Sequence, residues 1–189
     1  MLHYAVRDNN INKVRTLLRG KTDVNARYRN GDPLLYYAVM KGYIDIVKLL
    51  LEHGADANAH DRFINWGPLH IAAQSGNIEI VKLLLEHGAD VHDSAGNGDT
   101  PLHNAVISNK IETAMLLLEH GARVNARNIW DRTPFHYSCN KTVEFLAARV
   151  IERYWLEAYW NPDYRVCQNR LQRLFAKYRA EADAAAPAH

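Results

Sequence analysis

Histidine is the first candidate for chemistry in this sequence, because ten histidines occur among 189 residues. Imidazole is a common zinc ligand and general base, so a cluster could hold a metal ion or move a proton. Their spacing argues against both uses. Seven recur about every 33 residues in two series, so the members of a series lie in successive structural units and do not converge. These are His3, His70, His103 and His136 in one series and His53, His87 and His120 in the other. No Cys/His group has zinc-ligand spacing, so we predict no metal site.

Two cysteines and one glycine-rich segment are the remaining candidates for catalysis, and neither has the partners that catalysis needs. Cys139 lies in a small-residue position and Cys167 on an apolar helical seam, with no base marked beside either. Gly96-Asn97-Gly98-Asp99 lacks the Lys-Ser/Thr ending of a phosphate-binding loop, so it is predicted to be a β-turn. We therefore predict that the protein is not an enzyme and binds no cofactor.

The elements that position these residues belong to an internal repeat. In its clearest copy, residues 67–90, a short helix precedes the turn at Gly76-Asn77, and a second helix ends at Gly88. The motif positions return at Leu2-His3, Leu35-Tyr36, Leu69-His70, Leu102-His103 and Phe135-His136. Helices this short are unstable alone, so we expect the copies to stack into a solenoid.

The second helix of each repeat carries an apolar stripe. In repeats two and three, apolar residues stand at offsets 0, 3, 6 and 7, as in an amphipathic helix. The stripe residues are Ile44, Val47, Leu50 and Leu51, and Ile78, Val81, Leu84 and Leu85. Repeat one has Lys13 and Thr16 where later repeats have Ile46 and Leu49. We interpret repeat one as a cap with a polar outer face; the alternative is that a turn segment preceding Met1 is missing.

Residues 142–189 do not continue the repeat. A long helix is predicted to about Trp160, then a stop and restart at Asn161-Pro162-Asp163, and another helix over residues 164–180. Residues 181–189 are predicted to be frayed. The predicted architecture is an all-α repeat solenoid over residues 1–148, followed by a C-terminal helical cap and frayed tail over residues 149–189.

The repeat resembles the ankyrin repeat. Five copies over residues 1–148 are similar to the T-P-L-H-x-A motif, and the run from Ile80 to Asp90 matches the I-V-K-L-L-L-E-H-G-A-D pattern of that family. The departures are Tyr36 in the histidine position, Gly67 in the threonine position, His92 in a turn-segment asparagine position, and one extra residue near Ile64-Asn65.

This resemblance implies a function as well as a fold. It implies that the motif histidines bond neighbouring backbone and tie repeats together, and that a concave face of first helices and projecting β-turn fingers binds protein partners. It also implies that Asn25, Asn58 and Asn125 occupy the position that asparagine hydroxylases modify in this family.

The finger tips carry residues that turns do not require. Turn tips are usually polar, whereas these hold aromatic side chains beside arginine, the types that dominate interface hot spots. The predicted partner-binding residues are Tyr28, Arg29, Arg62, Phe63, Trp66, Ile129, Trp130 and Arg132 on the fingers, with Tyr37, Met40 and Ile107 on the first helices. The alternative, strongest for Trp66, is that the aromatic rings fold back as packing between fingers.

Composition sets the remaining expectations. A hydrophobic content of 48% is ordinary for a globular protein, and a net charge of +2 is too small to indicate nucleic acid. No apolar run approaches the roughly 20 residues of a membrane span, and no secretory signal is evident. Two cysteines suggest no disulfide framework. We expect a monomer in a reducing compartment, the cytoplasm of its own cell or of a host cell, that contacts neither nucleic acid nor membrane.

The sequence thus predicts a non-catalytic protein–protein interaction module acting as scaffold, inhibitor or adaptor, with the partner unidentified. One alternative is a ubiquitin-ligase substrate adaptor, because residues 165–171 faintly resemble the end of an F-box. Another is a bacterial or viral effector acting on a host protein, since closely similar repeats are typical of such ankyrin proteins. The last predicted helix has a basic face, either solvated or a docking surface for an acidic partner, at Arg170, Arg173 and Lys177.

Overall fold

The computed structural model describes residues 1–20, 22–28 and 30–137, and in this part of the chain helices alternate with turn segments. The helices are α1 Leu2–Arg7, α2 Ile11–Arg19, α3 Leu34–Lys41, α4 Ile44–Glu52, α5 Pro68–Ser75, α6 Ile78–Glu86, α7 Pro101–Ile107, α8 Ile111–Glu119 and a 3-10 helix over Pro134–Tyr137. They form four pairs and the start of a fifth, which confirms the all-α repeat fold.

Local signals fix where these helices begin and end. The side chains of Asn10 and Asn77 accept hydrogen bonds from the amides three residues later, at 3.0 and 3.1 Å, and so start α2 and α6. Gly54 and Gly88 follow α4 and α6 with φ of 83° and 82°, a left-handed conformation that suits glycine. The predicted starts and glycine stops are confirmed at these helices.

The second helices are buried on two sides, which is more than the predicted stripe required. Val47 and Leu50 of the stripe are buried, but Ile46 and Ile80, outside it, are also fully buried. The reason is that second helices of neighbouring repeats contact one another, α4 with α6 and α6 with α8. In repeat one the same position holds Lys13, which is exposed as expected.

The motif histidines tie successive repeats together, as predicted. Nε2 of the fully buried His70 and His103 donates to the carbonyl oxygens of Asp99 and Arg132 in the next finger, each at 3.0 Å. In the other series Nδ1 of His53, His87 and His120 donates to the carbonyl four residues earlier. Among the described residues, no His, Cys, Asp or Glu side chains are grouped to hold a metal ion.

Asparagine side chains make a second tie. Asn58 accepts from the amide of Asp90 at 2.8 Å and donates to the carbonyl of Gly88 at 3.0 Å. Asn25 bonds the backbone of Gly54 and Asp56 in the same way. Whether these asparagines are hydroxylated stays a prediction.

Each finger is a turn closed by its own backbone. We number the fingers two to five after the repeats they introduce. Their closing bonds run, in that order, from the amides of Tyr28, Asp61, Ala95 and Asn128 to the carbonyls of Asp32, Trp66, Asp99 and Arg132. Finger three, closed by Asp61 and Trp66, therefore holds one residue more than the others, and Asn65 takes a left-handed φ of 55° within it. The extra residue is where the sequence placed it, and the Gly96–Asp99 segment is the predicted turn.

Several predictions fall outside the described residues. These are the boundary at residue 148, both C-terminal helices, the frayed tail, Cys139, Cys167 and the F-box-like segment. The fifth repeat begins with a 3-10 helix at Pro134–Tyr137 where the other repeats have an α-helix. Within the described part, none of the helices has the length and apolar character needed to cross a membrane.

Candidate partner-binding surface

Fingers three, four and five form one hydrogen-bonded row. The amide of Gly96 donates to the carbonyl of Ile64 at 2.9 Å, and the amide of Ile129 donates to the carbonyl of Asn97 at 3.0 Å. Gly98 has a φ of +78°, and a Cβ there would lie 3.0 Å from Cα of Asn128. Because backbone contacts backbone at each step, the tips are held in fixed positions relative to one another.

Buried polar side chains hold the tips from inside. The carboxylate of Asp61 accepts from the amides of Phe63, Ile64 and Trp66 at 3.0, 3.3 and 2.7 Å. Asn128 plays this part in finger five, accepting from the amides of Trp130 and Arg132, each at 3.0 Å. The amide donors of finger three are thus satisfied inside the loop. Its apolar side chains, Phe63 and Ile64, project outward.

Four large apolar side chains project from this row. Phe63 and Ile64 on finger three are 78% and 49% exposed, and Ile129 and Trp130 on finger five are 67% and 57% exposed. Between them the tip of finger four has only Gly96, Asn97 and Gly98. We call these seven residues the tip platform. Ile64 was absent from the predicted binding set, although it adjoins Phe63 in the lengthened finger.

Three of the predicted aromatic residues are instead half-buried. The ring of Trp66 stacks on that of His70, with 6.2 Å between centroids and an interplanar angle of 20°. Tyr28 packs against Tyr37 at 4.8 Å, and its hydroxyl donates to the carbonyl of His3 at 3.0 Å. Burial raises the pKa of the Tyr28 hydroxyl above its ordinary value. These rings contribute to packing and offer less surface to a partner than the tip platform does.

The ends of the first helices form a second exposed region. Met40 and Ile107 occupy equivalent positions in α3 and α7, and both are exposed. Tyr4 of α1 is half-exposed, with the guanidinium of Arg7 5.1 Å from its ring centroid. These residues belong to the helical part of the predicted concave face.

Arginine side chains flank the tip platform. Gly31 gives room to Arg62, whose Cδ lies 1.8 Å from where a Cβ on Gly31 would stand. Arg132 extends over the ring of Tyr137 at 5.6 Å. Among the described residues, neither Arg62 nor Arg132 forms an ion pair with a carboxylate. Arg62 also borders a shallow polar groove of about 670 Å³ between fingers two and three. Arg29 lies outside the described residues.

The second helices of repeats two to four carry the other sign of charge. The exposed charged residues of α4, α6 and α8 are six carboxylates and two lysines. They are Asp45, Glu52, Glu79, Glu86, Glu112 and Glu119, with Lys48 and Lys82. On the described fingers the exposed charged residues are Arg27, Arg62, Arg127, Asp131 and Arg132, and Asp131 pairs with Arg127. The exposed side of α4, α6 and α8, here called the outer helix face, is thus acidic and the fingers are basic. Helix α2 of repeat one differs, because its exposed charged residues are Lys13, Arg15 and Arg19.

Sequence reasoning missed a partly buried network beside finger three. Asp93 accepts from Nε2 of His60 at 2.8 Å and lies 3.5 Å from Nδ1 of His70. A Cβ on Gly67 would lie 2.6 Å from the Asp93 carboxylate, which approaches the position that threonine occupies in repeats four and five. Burial lowers the pKa of His70, and the nearby Asp93 opposes that shift. Gly67 in the threonine position was the available signal.

Comparison with known proteins agrees with the helix-pair and finger architecture. The family model described as ankyrin repeats (3 copies) matches residues 2–95 and, in a second match, residues 69–153. An ankyrin-repeat protein of Acanthamoeba polyphaga mimivirus is 37% identical over 68 residues, which cover 36% of this chain and 9% of that protein. One of Fowlpox virus (strain NVSL) is 40% identical over 62 residues, covering 33% and 8%.

A vertebrate protein shows similar identity. The Notch-regulated ankyrin repeat-containing protein of Homo sapiens is 36% identical over 72 residues, which cover 36% of this chain and 62% of that protein. The chain thus matches less than two thirds of the length of each of these relatives.

Proposed function

The chain belongs to the ankyrin-repeat family, and on that premise we propose that it is a non-catalytic module that binds a protein partner through its fingers and the adjoining ends of its first helices. Ankyrin repeats are in general protein-interaction modules, which supports the class of function. The exposed apolar residues of the fingers support the location of the binding surface.

One observation carries this proposal: three large apolar side chains, Phe63, Ile129 and Trp130, stand mainly exposed on tips that are locked by hydrogen bonds. Turn tips do not need such residues for folding, and aromatic anchors typically supply most of the affinity at interfaces. Because the tips are already ordered, binding would lose little conformational entropy. A partner covering the fingers and helix ends would bury roughly 1,200–2,000 Å², a standard-size interface.

An affinity pull-down from cell lysate tests this function. Wild-type protein should retain a protein that the Phe63→Ala/Trp130→Ala double variant does not. The matched control is Lys48→Ala/Lys82→Ala on the outer helix face, which should retain it fully. The proposal fails if no protein is specifically retained, or if the double variant retains the same protein as well as wild type does. Thermal melting of all three proteins checks that they are folded.

A further inference from the structure

We propose that the segment bound at the tip platform is acidic and carries at least two large apolar side chains. This inference rests on the proposed function, because it names the chemistry of the partner at that surface. Two independent properties of the surface support it, the shape of its apolar part and the sign of the charge around it.

The apolar part has two walls and a low floor. Phe63 and Ile64 form one wall, and Ile129 and Trp130 form the other. Finger four, between them, has glycine at two of its three tip positions, and the side chain of Asn97 is occupied by hydrogen bonds to Asp99. A partner segment crossing the row can therefore place one apolar side chain against each wall. Burying apolar surface on both sides supplies the affinity.

The floor is fixed by close backbone contact. A Cβ on Gly96 would lie 3.1 Å from the carbonyl oxygen of Ile64, and a Cβ on Gly98 would lie 3.0 Å from Cα of Asn128. Larger residues would push the fingers apart, so the glycines keep both the spacing of the walls and the depth of the floor.

The charged part favours carboxylates on the partner. Arg62 adjoins Phe63 and Arg132 follows the Ile129–Trp130 wall, so each wall has an exposed cation beside it. Two described acids of these fingers are occupied inside the fold, since Asp61 accepts three backbone amides and Asp99 accepts side-chain amides of Asn97 and Asn128. The exposed acid, Asp131, pairs with Arg127. The guanidinium groups of Arg62 and Arg132 are exposed and form no ion pair with a described carboxylate.

The charge of the second helices α4, α6 and α8 also directs an acidic segment to the fingers. The outer helix face has six exposed carboxylates against two lysines, so it repels an acidic partner that the finger side attracts. Complementary charge of this kind raises association rates and excludes partners of the wrong sign. A basic apolar segment would be attracted to the outer helix face and repelled by the arginines of the fingers.

Fluorescence anisotropy with labelled copolymers tests the chemistry directly on the full chain. The probes are random poly(Glu,Tyr), poly(Glu) and random poly(Lys,Tyr). Wild-type protein should bind poly(Glu,Tyr) more tightly than either of the others, since only that probe offers acidic and aromatic groups together. Binding should weaken as salt is raised, because exposed charges are screened.

Two double variants separate the apolar and charged contributions. Arg62→Glu/Arg132→Glu should weaken poly(Glu,Tyr) binding at least about tenfold, because it places like charges opposite each other. Phe63→Ser/Trp130→Ser should reduce the affinity for poly(Glu,Tyr) to that for poly(Glu). The control Lys48→Glu/Lys82→Glu changes net charge by the same amount on the outer face and should weaken binding less than about twofold. If the Arg62→Glu/Arg132→Glu protein fails to melt cooperatively, the two single variants should each show part of the loss.

Four results would overturn the inference. The first is no binding of wild-type protein to poly(Glu,Tyr) at its highest soluble concentration, and the second is equally tight binding to poly(Lys,Tyr). The third is an equal loss of affinity in Arg62→Glu/Arg132→Glu and Lys48→Glu/Lys82→Glu, which would indicate general attraction to a cationic protein. The fourth is self-association in sedimentation that Arg62→Glu/Arg132→Glu abolishes, which would assign the surface to a second copy of this chain. The proposed function fails separately, through a pull-down that Phe63→Ala/Trp130→Ala does not alter.

Discussion

The second helices and the fingers differ in how much they vary between repeats. Helices α4 and α6 have the sequences IDIVKLLLE and IEIVKLLLE, which differ only at Asp45 and Glu79. The fingers that precede α3 and α5 differ in length and in nearly every tip residue. The helices repeat because each is buried in the same surroundings, between its own first helix and its neighbours. The exposed tip side chains, such as Phe63 and Trp130, have no such constraint, so they are available for binding.

The largest effect should come from deleting a framework side chain. Leu84 is fully buried in α6, so Leu84→Ala should lower the free energy of unfolding by about 3 kcal/mol, through lost burial and the cavity left behind. Phe63→Ala, which removes a larger but exposed side chain, should change it by less than about 0.5 kcal/mol. Urea denaturation of both variants measures the difference. Similar losses would show that Phe63 belongs to the framework.

For binding, in contrast to stability, the exposed tip side chains should have large effects. Once a partner is in hand, Phe63→Ala or Trp130→Ala should each weaken its affinity by about 2 kcal/mol, because exposed aromatic anchors on ordered tips are typical hot spots. Titration calorimetry gives the affinity. Met40→Ala, at an exposed first-helix end, provides the comparison with the helical part of the proposed surface. If Met40→Ala costs more than both tip variants, the helix ends dominate the interface.

A smaller gain is expected where one repeat departs from the framework. Thr113 in α8 occupies the position of Ile46 and Ile80, and its hydroxyl is buried without a hydrogen-bond partner among the described residues. Thr113→Val keeps the shape and removes the unsatisfied group, so it should stabilise the protein by about 1 kcal/mol. Thermal and urea denaturation measure this. Thr16→Val is the control, because that hydroxyl is exposed and bonds the carbonyl of Asn12 at 2.9 Å.

How much the sequence could predict follows the same division. The positions of His70 and Gly88 were predictable because they recur, and recurrence reports the backbone geometry that every repeat shares. The full burial of Ile46 was not evident from its own helix, since a single helix shows one stripe and the second buried side packs against a neighbouring repeat. Trp66 and Phe63 stand three residues apart in one finger. They differ in exposure because Trp66 stacks on the ring of His70, whereas Phe63 makes no such ring contact among the described residues.

The contact of Asp93 with His60 was also beyond sequence reasoning, because it joins residues 33 apart through space. Gly67 marked the place without naming what fills it. A missing threonine side chain shows only that something else can approach, and the repeat pattern predicts no carboxylate there. Departures from a repeat thus locate unusual contacts before a structure identifies them.

The smallest effect near neutral pH should arise where framework and fingers meet, at the buried histidines. Burial lowers the pKa of both His70 and His103 below the ordinary value of 6.5. In the unfolded chain each takes up a proton near pH 6.5, whereas the folded protein does so only at lower pH. Their stabilising contribution is therefore complete above pH 6.5 and is lost as the pH falls from there through the folded pKa values. Urea midpoints measured from pH 7.5 to 5 should decrease.

Two variants relate this pH dependence to the network at finger three. His103→Gln removes one of the two groups and should flatten the pH dependence. Asp93→Asn removes the carboxylate that opposes the shift at His70, so the folded pKa of His70 should fall further and stability should decline more steeply below pH 6.5. A slope unchanged by His103→Gln would show that other groups control acid unfolding. A flatter slope in Asp93→Asn would show that Asp93 stabilises the neutral state of the network instead of the charged one.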